Sequence, residues 1–327
     1  MPHLRPTILL VLFLTAAHAP AADPPAASEA PERKPTVWMG PPSYDNGRCF
    51  RELFEHPDAW KETRSRIDVL MYADHCLNKQ FTDDELRPWL AQLRQWKLKL
   101  ELEVGAVKPW GPTGEKTFNA QRPNWDRFQR LGGEIYSIAM DEPFLCCRLH
   151  IQKPDDYAVQ ETADFIERVR KNYPKLRIGD IETYPSIPIA DHFWWIDALE
   201  KRLAERNVRG LDFYRLDVNW AEYVVFDRGS WPEVKRLERY CRQRKLPFSL
   251  IYWASGYPAL KRQGLADDLT WYASVLRQGY DYAMVQGAPD HYVIESWIDA
   301  PTRSTPETEA FTFTRSVLDF TQRFVRK

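Results

Sequence analysis

Residues 135–143 read Ile-Tyr-Ser-Ile-Ala-Met-Asp-Glu-Pro, a run of apolar and small side chains that stops at two carboxylates and a proline. The apolar run predicts a buried strand, and the polar end predicts the start of a loop. Carboxylates seldom lie beside a core unless they are paired or belong to a site. The stretch therefore predicts the carboxyl end of a central strand with Glu142 in a functional centre. An acidic helix cap after an ordinary strand is the alternative.

Strand-like and helix-like segments alternate on both sides of this stretch. Helical spacing of apolar residues follows each strand-like run, for example in Asp83–Lys97, where Thr82 is the expected N-cap. No G-x-G-x-x-G motif follows the first strand, and no phosphate-binding GxxxxGK[ST] motif occurs. Eight such units predict an α/β protein built as a single (β/α)8 TIM barrel. The predicted strands are Thr36–Gly40, Ile67–Ala73, Leu98–Val104, Ile135–Met140, Leu176–Ile181, Val208–Leu216, Pro247–Trp253 and His291–Trp297.

The N-terminus has the pattern of a secretory signal peptide. Arg5 precedes the apolar run Ile8–Leu14, and several alanines follow. We expect a signal peptide at residues 1–22, a disordered Ala/Pro-rich leader at 23–35 and a catalytic barrel at 36–327. The mature protein is therefore expected to be secreted or periplasmic. No later segment is long and apolar enough to span a membrane.

Charge balance and cysteine count narrow the possible partners. Lys and Arg number 45 against 46 Asp and Glu, so the chain lacks the basic surplus of a nucleic-acid-binding protein. The sequence gives no indication of the oligomeric state. The cysteines lack the spacing of a metal site. A secreted or periplasmic location permits disulfides, but we interpret the adjacent pair, Cys146 and Cys147, as buried thiols. The five cysteines are Cys49, Cys76, Cys146, Cys147 and Cys241.

Carboxylates recur where the predicted strands end, and barrel enzymes carry their sites at those ends. The period of two places Glu101 and Glu103 on one face of strand 3, and groups Asp180 with Glu182 on strand 5. Because the outer face packs under apolar helices, we expect both polar faces to point into the barrel, with Glu103 and Glu182 at similar height. The other strand-end carboxylates are Asp141, Glu142, Asp217 and Glu295.

Aromatic residues follow the same geometry. Rings that stack on the apolar faces of sugars, beside carboxylates that bind hydroxyls, suit a neutral polyhydroxylated ligand. The alternative is that part of this set only covers the end of the barrel. The carboxylates predicted to bind substrate are Asp141, Asp217, Glu103 and Asp180. The aromatic residues predicted to bind it are Trp38, Tyr72, Tyr214, Trp220, Trp253 and Trp297.

Asp141-Glu142-Pro143 resembles the Asn-Glu-Pro-like motif that ends strand 4 in the large retaining clan of (β/α)8-barrel glycoside hydrolases. The resemblance implies a glycosidase with Glu142 as acid/base. That clan carries a nucleophilic glutamate at the end of strand 7, whereas Phe248–Gly256 contains no carboxylate. Glu182 is the first substitute and Glu295 the second. A different clan pairs an Asp of strand 4 with an Asp of strand 6, which would be Asp141 and Asp217.

The sequence thus predicts a secreted glycoside hydrolase-like enzyme that uses a pair of carboxylates and no cofactor or metal. A barrel that binds carbohydrate without cleaving it is the first alternative. A metal-dependent barrel hydrolase is the second alternative, but it would require a His-x-His motif on strand 1, and strand 1 has none. Among the histidines, His75 after strand 2 is the plausible site residue.

Overall fold

The computed structural model describes residues 34–325, apart from the side chains of residues 225 and 226. Eight parallel strands close into a barrel in sequence order, with the last strand paired to the first, and this confirms the predicted (β/α)8 fold. The expected signal peptide at 1–22 and leader residues 23–33 lie outside the described residues. The strands are β1 Thr36–Gly40, β2 Val69–Ala73, β3 Lys99–Val104, β4 Ile135–Asp141, β5 Arg177–Tyr184, β6 Phe213–Val218, β7 Phe248–Tyr252 and β8 His291–Glu295.

Helices fill the connections between the strands. Thr82 caps the helix Asp83–Trp96, α4, as expected: its hydroxyl accepts the Glu85 N–H, and the Glu85 carboxylate accepts the Thr82 N–H at 2.8 Å. The helices are α1 Arg48–Glu55, α2 Lys61–Arg66, α3 Asp74–Gln80, α4 Asp83–Trp96, α5 Gly114–Arg130, α6 Pro143–Cys146, α7 Asp155–Asn172, α8 Ile189–Glu205, α9 Trp220–Phe226, α10 Trp231–Gln243, α11 Tyr257–Arg262, α12 Asp268–Met284 and α13 Phe313–Phe324.

The elements that sequence patterns missed are short helices after strand ends. α3, α6, α9 and α11 each begin within a few residues of a strand and surround the mouth of the barrel. Their four to seven residues are too few for a helical period to stand out. Tyr282–Val285 forms the end of α12 and its C-cap.

Alternation along the strands separates the barrel interior from the outer layer. In β3, Leu100 and Leu102 join the core under the helices, while Glu101 and Glu103 face inward as predicted. Trp38 and Phe213 belong to the apolar cluster that fills the interior. The interior below the mouth is therefore a packed core, as in other barrels of this size.

A buried ion pair crosses this interior. Arg215 of β6 donates to Glu101 of β3 at 2.6 Å, and both side chains have no exposed surface. Ser137 of β4 donates a second hydrogen bond to Glu101 at 2.8 Å. The guanidinium also lies 4.8 Å from the ring of Trp38. The pair joins three strands beneath the mouth of the barrel, and it is stabilising only while both partners are present.

No helix within residues 34–325 has the length and apolarity needed to cross a membrane. All five cysteines are buried and none forms a disulfide. Their burial agrees with the interpretation of the adjacent pair as inert thiols.

Candidate active site

A cleft of about 450 Å³ opens at the carboxyl ends of the strands. Interior residues at the tops of the strands form its floor, and the loops after the strands form its walls. Six residues of the predicted carboxylate and aromatic sets meet there. The cleft is lined by Ser43, Tyr44, Ala73, His75, Glu103, Asp141, Glu142, Leu145, Ile181, Thr183, Ser186, Asp217, Asn219, Ile251, Trp253 and Trp297.

Glu142 occupies the turn between β4 and α6. Its backbone is left-handed, with φ 48° and ψ 49°, a region that costs a residue with a Cβ about 1–3 kcal/mol. Its N–H donates to the carbonyl of Ile181 at 3.0 Å, and Pro143 starts the helix. Burial, and then the neighbouring Asp141, raise the pKa of Glu142 to about 7. The turn thus presents a carboxyl that titrates near neutrality.

Asp217 extends from β6 into the same cleft. The indole N–H of Trp253 donates to its Oδ1 at 2.7 Å. Burial, and then the charge of Glu142, raise the pKa of Asp217 well above its ordinary value. The ring of Trp253 lies 4.0 Å from that of Trp297, and together they form an aromatic wall. Trp253 therefore both fixes Asp217 and offers a surface for stacking.

Asp141 has a cation partner, unlike its neighbour Glu142. The ammonium of Lys108, which follows β3, forms an ion pair with the Asp141 carboxylate. Burial lowers the pKa of Lys108, but Asp141 more than offsets this, so the net shift is upward. The pair supplies a fixed negative charge beside a compensating positive one.

Glu103 and Glu295 form a second close pair of carboxyls at the base of the site. Burial, and then Asp141, raise the pKa of Glu103 to about 8, while an interaction with Glu295 opposes this shift. A Cβ at Gly40 would lie 3.0 Å from Cγ of Glu295, so glycine there makes room for this carboxyl. Glu103 lines the cleft, whereas Glu295, only 6% exposed, does not.

The expectation that Asp180 and Glu182 point into the barrel is wrong. Gly179, Ile181 and Thr183 of β5 point into the barrel. Because side chains alternate along a strand, Asp180 and Glu182 point outward, toward the helices. Glu182 accepts backbone N–H groups of α6, and Asp180 accepts the indole N–H of a tryptophan of α8. Neither lines the cleft, so Glu182 does not contact a ligand there.

Tyr72 and Tyr214 do not line the cleft either. Both lie on the outer faces of their strands, where large rings fill the layer between sheet and helices. The hydroxyl of Tyr72 donates to Gln80 at 2.9 Å, and that of Tyr214 lies 2.7 Å from Nδ1 of His192. Both rings are buried and their hydroxyl groups have hydrogen-bond partners within the protein, so the two tyrosines have a structural role.

Trp38 and Trp220 differ from prediction for separate reasons. Trp38 is 1% exposed inside the barrel, where it stacks on His291 with ring centroids 4.9 Å apart. Trp220 begins α9 and packs partly buried against the outer core. Neither belongs to the cleft lining. Of the predicted aromatic set, Trp253 and Trp297 are the two that reach the cleft.

Sequence reasoning missed several lining residues from loops. Tyr44 is 67% exposed at the rim, and Ser43 lies beside it. Asn219 lines the cleft and also caps α9 by accepting the Glu222 N–H at 3.3 Å. Lys108 does not itself line the cleft but pairs with Asp141, and its place as a lone basic residue in the Pro/Gly-rich loop after β3 was a usable signal. The rim residues carried no pattern that separates them from ordinary loop positions.

His75 lines the cleft, as its position after strand 2 suggested. Its Nε2 lies 3.3 Å from the thiol of Cys76, and burial lowers its pKa. Within residues 34–325, no group of three or more His, Cys, Asp or Glu side chains has a metal-binding arrangement.

No known family model matches the chain, and no curated protein is similar to it in sequence. Solved structures share its fold. The catalytic domain of the Ignisphaera aggregans GH53 protein is 10% identical with a TM-score of 0.50, over 90% of this chain and 96% of that one. A D-psicose 3-epimerase solved in the presence of D-fructose is 11% identical with a TM-score of 0.46, over 82% and 92%.

An aldo-keto reductase from Klebsiella pneumoniae in complex with NADPH is 14% identical with a TM-score of 0.44, over 88% of this chain and 91% of that one. At these identities the similarity establishes a (β/α)8 barrel and no activity. Because the similarity identifies the fold alone, the function must be inferred from the cleft.

Proposed function

We propose that this protein is a carbohydrate-active hydrolase that cleaves glycosidic bonds with Glu142 and Asp217. The observation that carries the proposal is their meeting, from β4 and β6, in one cleft beside the aromatic wall of Trp253 and Trp297. Glycosidases need one protonated and one ionised carboxyl. Two carboxyls in one cleft meet this need when the charge of one raises the pKa of the other, as the charge of Glu142 does for Asp217.

The order of ionisation assigns the roles. Burial and the charge of Glu142 are among the causes that raise the pKa of Asp217, and we therefore assign Glu142 as the ionised partner and Asp217 as the proton donor. Oδ1 of Asp217 accepts the indole N–H, which leaves the other oxygen to carry the proton. Glu142 keeps the central place that the sequence predicted, but as the ionised partner rather than the initial proton donor.

The reaction follows from these roles. Asp217 donates its proton to the glycosidic oxygen as the bond to the anomeric carbon breaks. The Glu142 carboxylate stabilises the positive charge that develops on that carbon. Water then adds to the carbon, and the proton it releases restores Asp217. Asp141, which Lys108 holds in place, and Glu103 bind hydroxyl groups of the sugar.

The test is a screen of the purified protein against soluble polysaccharides, measuring new reducing ends. The lining holds four carboxyls, Glu103, Asp141, Glu142 and Asp217, against one histidine. The panel should therefore include amino-sugar polymers as well as neutral ones. The extracytoplasmic location that we propose suits such large substrates. Release of reducing ends supports the proposal. Tight binding without release would support the carbohydrate-binding alternative and contradict hydrolysis.

Activity is expected to rise as the pH increases through about 7, the value to which the pKa of Glu142 is raised. Below that pH both carboxyls are protonated and the ionised partner is missing. At higher pH Asp217 loses its proton and the rate falls. The pH dependence of kcat/KM measures both limbs. An acid limb near about 4, ordinary for carboxyls, would contradict this proton order.

Trp253→Phe is expected to move the alkaline limb to higher pH. The indole hydrogen bond lowers the pKa of Asp217, so its removal lets that pKa rise further, while the ring still packs against Trp297. The acid limb, set by Glu142, should stay in place. Trp297→Phe is the matched control and should move neither limb. A shift of equal size in both variants would contradict the role of the Trp253 indole.

A further inference from the structure

The turn that carries Glu142 is followed by a helix too short to hold itself in place. α6 comprises Pro143–Cys146 and continues into a single π-helical turn over Cys147–Ile151. Isolated helices of this length are unstable in water, and the first N–H groups of any helix lack partners within it. Contacts from outside must therefore determine where α6, and with it Glu142, lies.

The outward face of β5 supplies those contacts. Oε1 of Glu182 accepts the N–H of Phe144 at 2.6 Å, and Oε2 accepts the N–H of Leu145 at 3.1 Å. Both carboxylate oxygens are thus used on the first turn of α6. Glu182 has no exposed surface, so water does not compete for these bonds.

Asp180 acts on the same helix through a tryptophan. Its Oδ2 accepts the indole N–H of Trp195 at 2.6 Å. The Trp195 ring stacks on Phe144 with centroids 4.7 Å apart and planes 6° apart. Ile181, between the two carboxylates on the strand, accepts the N–H of Glu142 through its carbonyl. Three consecutive residues of β5 therefore hold the turn and the first residues of α6.

We propose that Asp180, Glu182 and Trp195 form a clamp, here called the α6 clamp, whose role is to position Glu142 in the cleft. The inference rests on the proposed function and assigns positioning residues to it. The left-handed backbone of Glu142 is strained, and such strain persists only where the surroundings over-determine it. The α6 clamp fixes this backbone through contacts on the outward face of β5, which does not line the cleft.

Glu182→Gln tests the clamp. The side chain keeps its size but presents an amide NH2 to one of the two backbone N–H groups, so the turn relaxes. We expect kcat to fall by about 10²-fold with KM nearly unchanged, the effect of a small misplacement of a reacting group. In a Glu142→Gln background the same change should have little further effect, because the positioned group is already gone.

Asp68→Asn is the matched control. Oδ2 of Asp68 also accepts a backbone N–H, that of Val37, at 2.9 Å, but at the opposite end of the barrel. It should lower the thermal midpoint without changing kcat. Equal losses of kcat in the two variants, or a Glu182→Gln effect that adds fully to Glu142→Gln, would show a purely structural role and overturn the clamp.

A second readout does not depend on activity. Carboxyl ¹³C NMR, with Glu142 assigned by the signal missing in Glu142→Gln, should show titration near about 7 in the wild type. In Glu182→Gln, and to a smaller extent in Trp195→Phe, the released carboxyl should titrate at lower pH because its burial is lost. Absence of hydrolysis by the wild type would count against the proposed function alone, whereas unchanged titration in both variants would overturn the clamp.

Discussion

Glu142→Gln is expected to lower kcat by about 10²–10⁴-fold on the best substrate while the protein stays folded. The amide has the shape of the carboxyl but neither ionises nor exchanges protons. The cleft therefore loses the charge that faces the anomeric carbon. Initial rates of reducing-end release, with the thermal midpoint measured on the same samples, give the result.

Glu115→Gln is the matched control for this substitution. Glu115 is an exposed glutamate of α5, with 58% of its side chain accessible, and it takes no part in the cleft. It should retain wild-type kcat. Near wild-type activity in folded Glu142→Gln would remove Glu142 from the mechanism.

Arg215→Met is expected to lower the free energy of unfolding by about 3–5 kcal/mol, because it leaves the buried Glu101 carboxylate without its partner. Burial alone raises the pKa of Glu101, and Arg215 is the main influence that opposes this shift. In the variant the carboxylate must either stay charged in an apolar core or take up a proton. Urea unfolding measures the change.

The double variant Glu101→Leu/Arg215→Met should recover much of that loss, because no uncompensated charge remains. Arg244→Ala removes the exposed ion pair with Asp197, and should cost at most about 1 kcal/mol. A loss in Arg215→Met no larger than in Arg244→Ala would show that the central pair contributes little.

The barrel fold, and about half of the residues predicted to form the site, followed from local sequence patterns. Strand–helix alternation predicts parallel strands, and parallel strands bring their carboxyl ends to one rim. Glu103 was predictable from the period of two, and Asp217, Trp253 and Trp297 from their places at or after the ends of strands. These inferences need no knowledge of tertiary partners.

The face of β5 was not predictable from its sequence. Asp180 and Glu182 look like inward polar residues because outer faces usually contact apolar helices. Here the helix layer offers specific donors, the indole of Trp195 and the N–H groups of α6, which make an outward carboxylate favourable. Those donors come from other elements, and only the folded arrangement brings them together.

The assignment of roles within the site also required the folded structure. The resemblance implied an acid/base role for Glu142 from a three-residue motif. The roles that we propose rest on the burial of Asp217 and on the effect of the Glu142 charge on its pKa, and no sequence spacing encodes either.

The most direct test of the central claim is mass spectrometry of the products that the wild-type protein forms from an oligosaccharide identified in the polysaccharide screen. Hydrolysis adds one water to the combined products for each bond broken, and we expect products of that mass from the wild type and almost none from Glu142→Gln. Unsaturated fragments without added water, or an intact oligosaccharide recovered from a tight complex, would contradict a glycoside hydrolase.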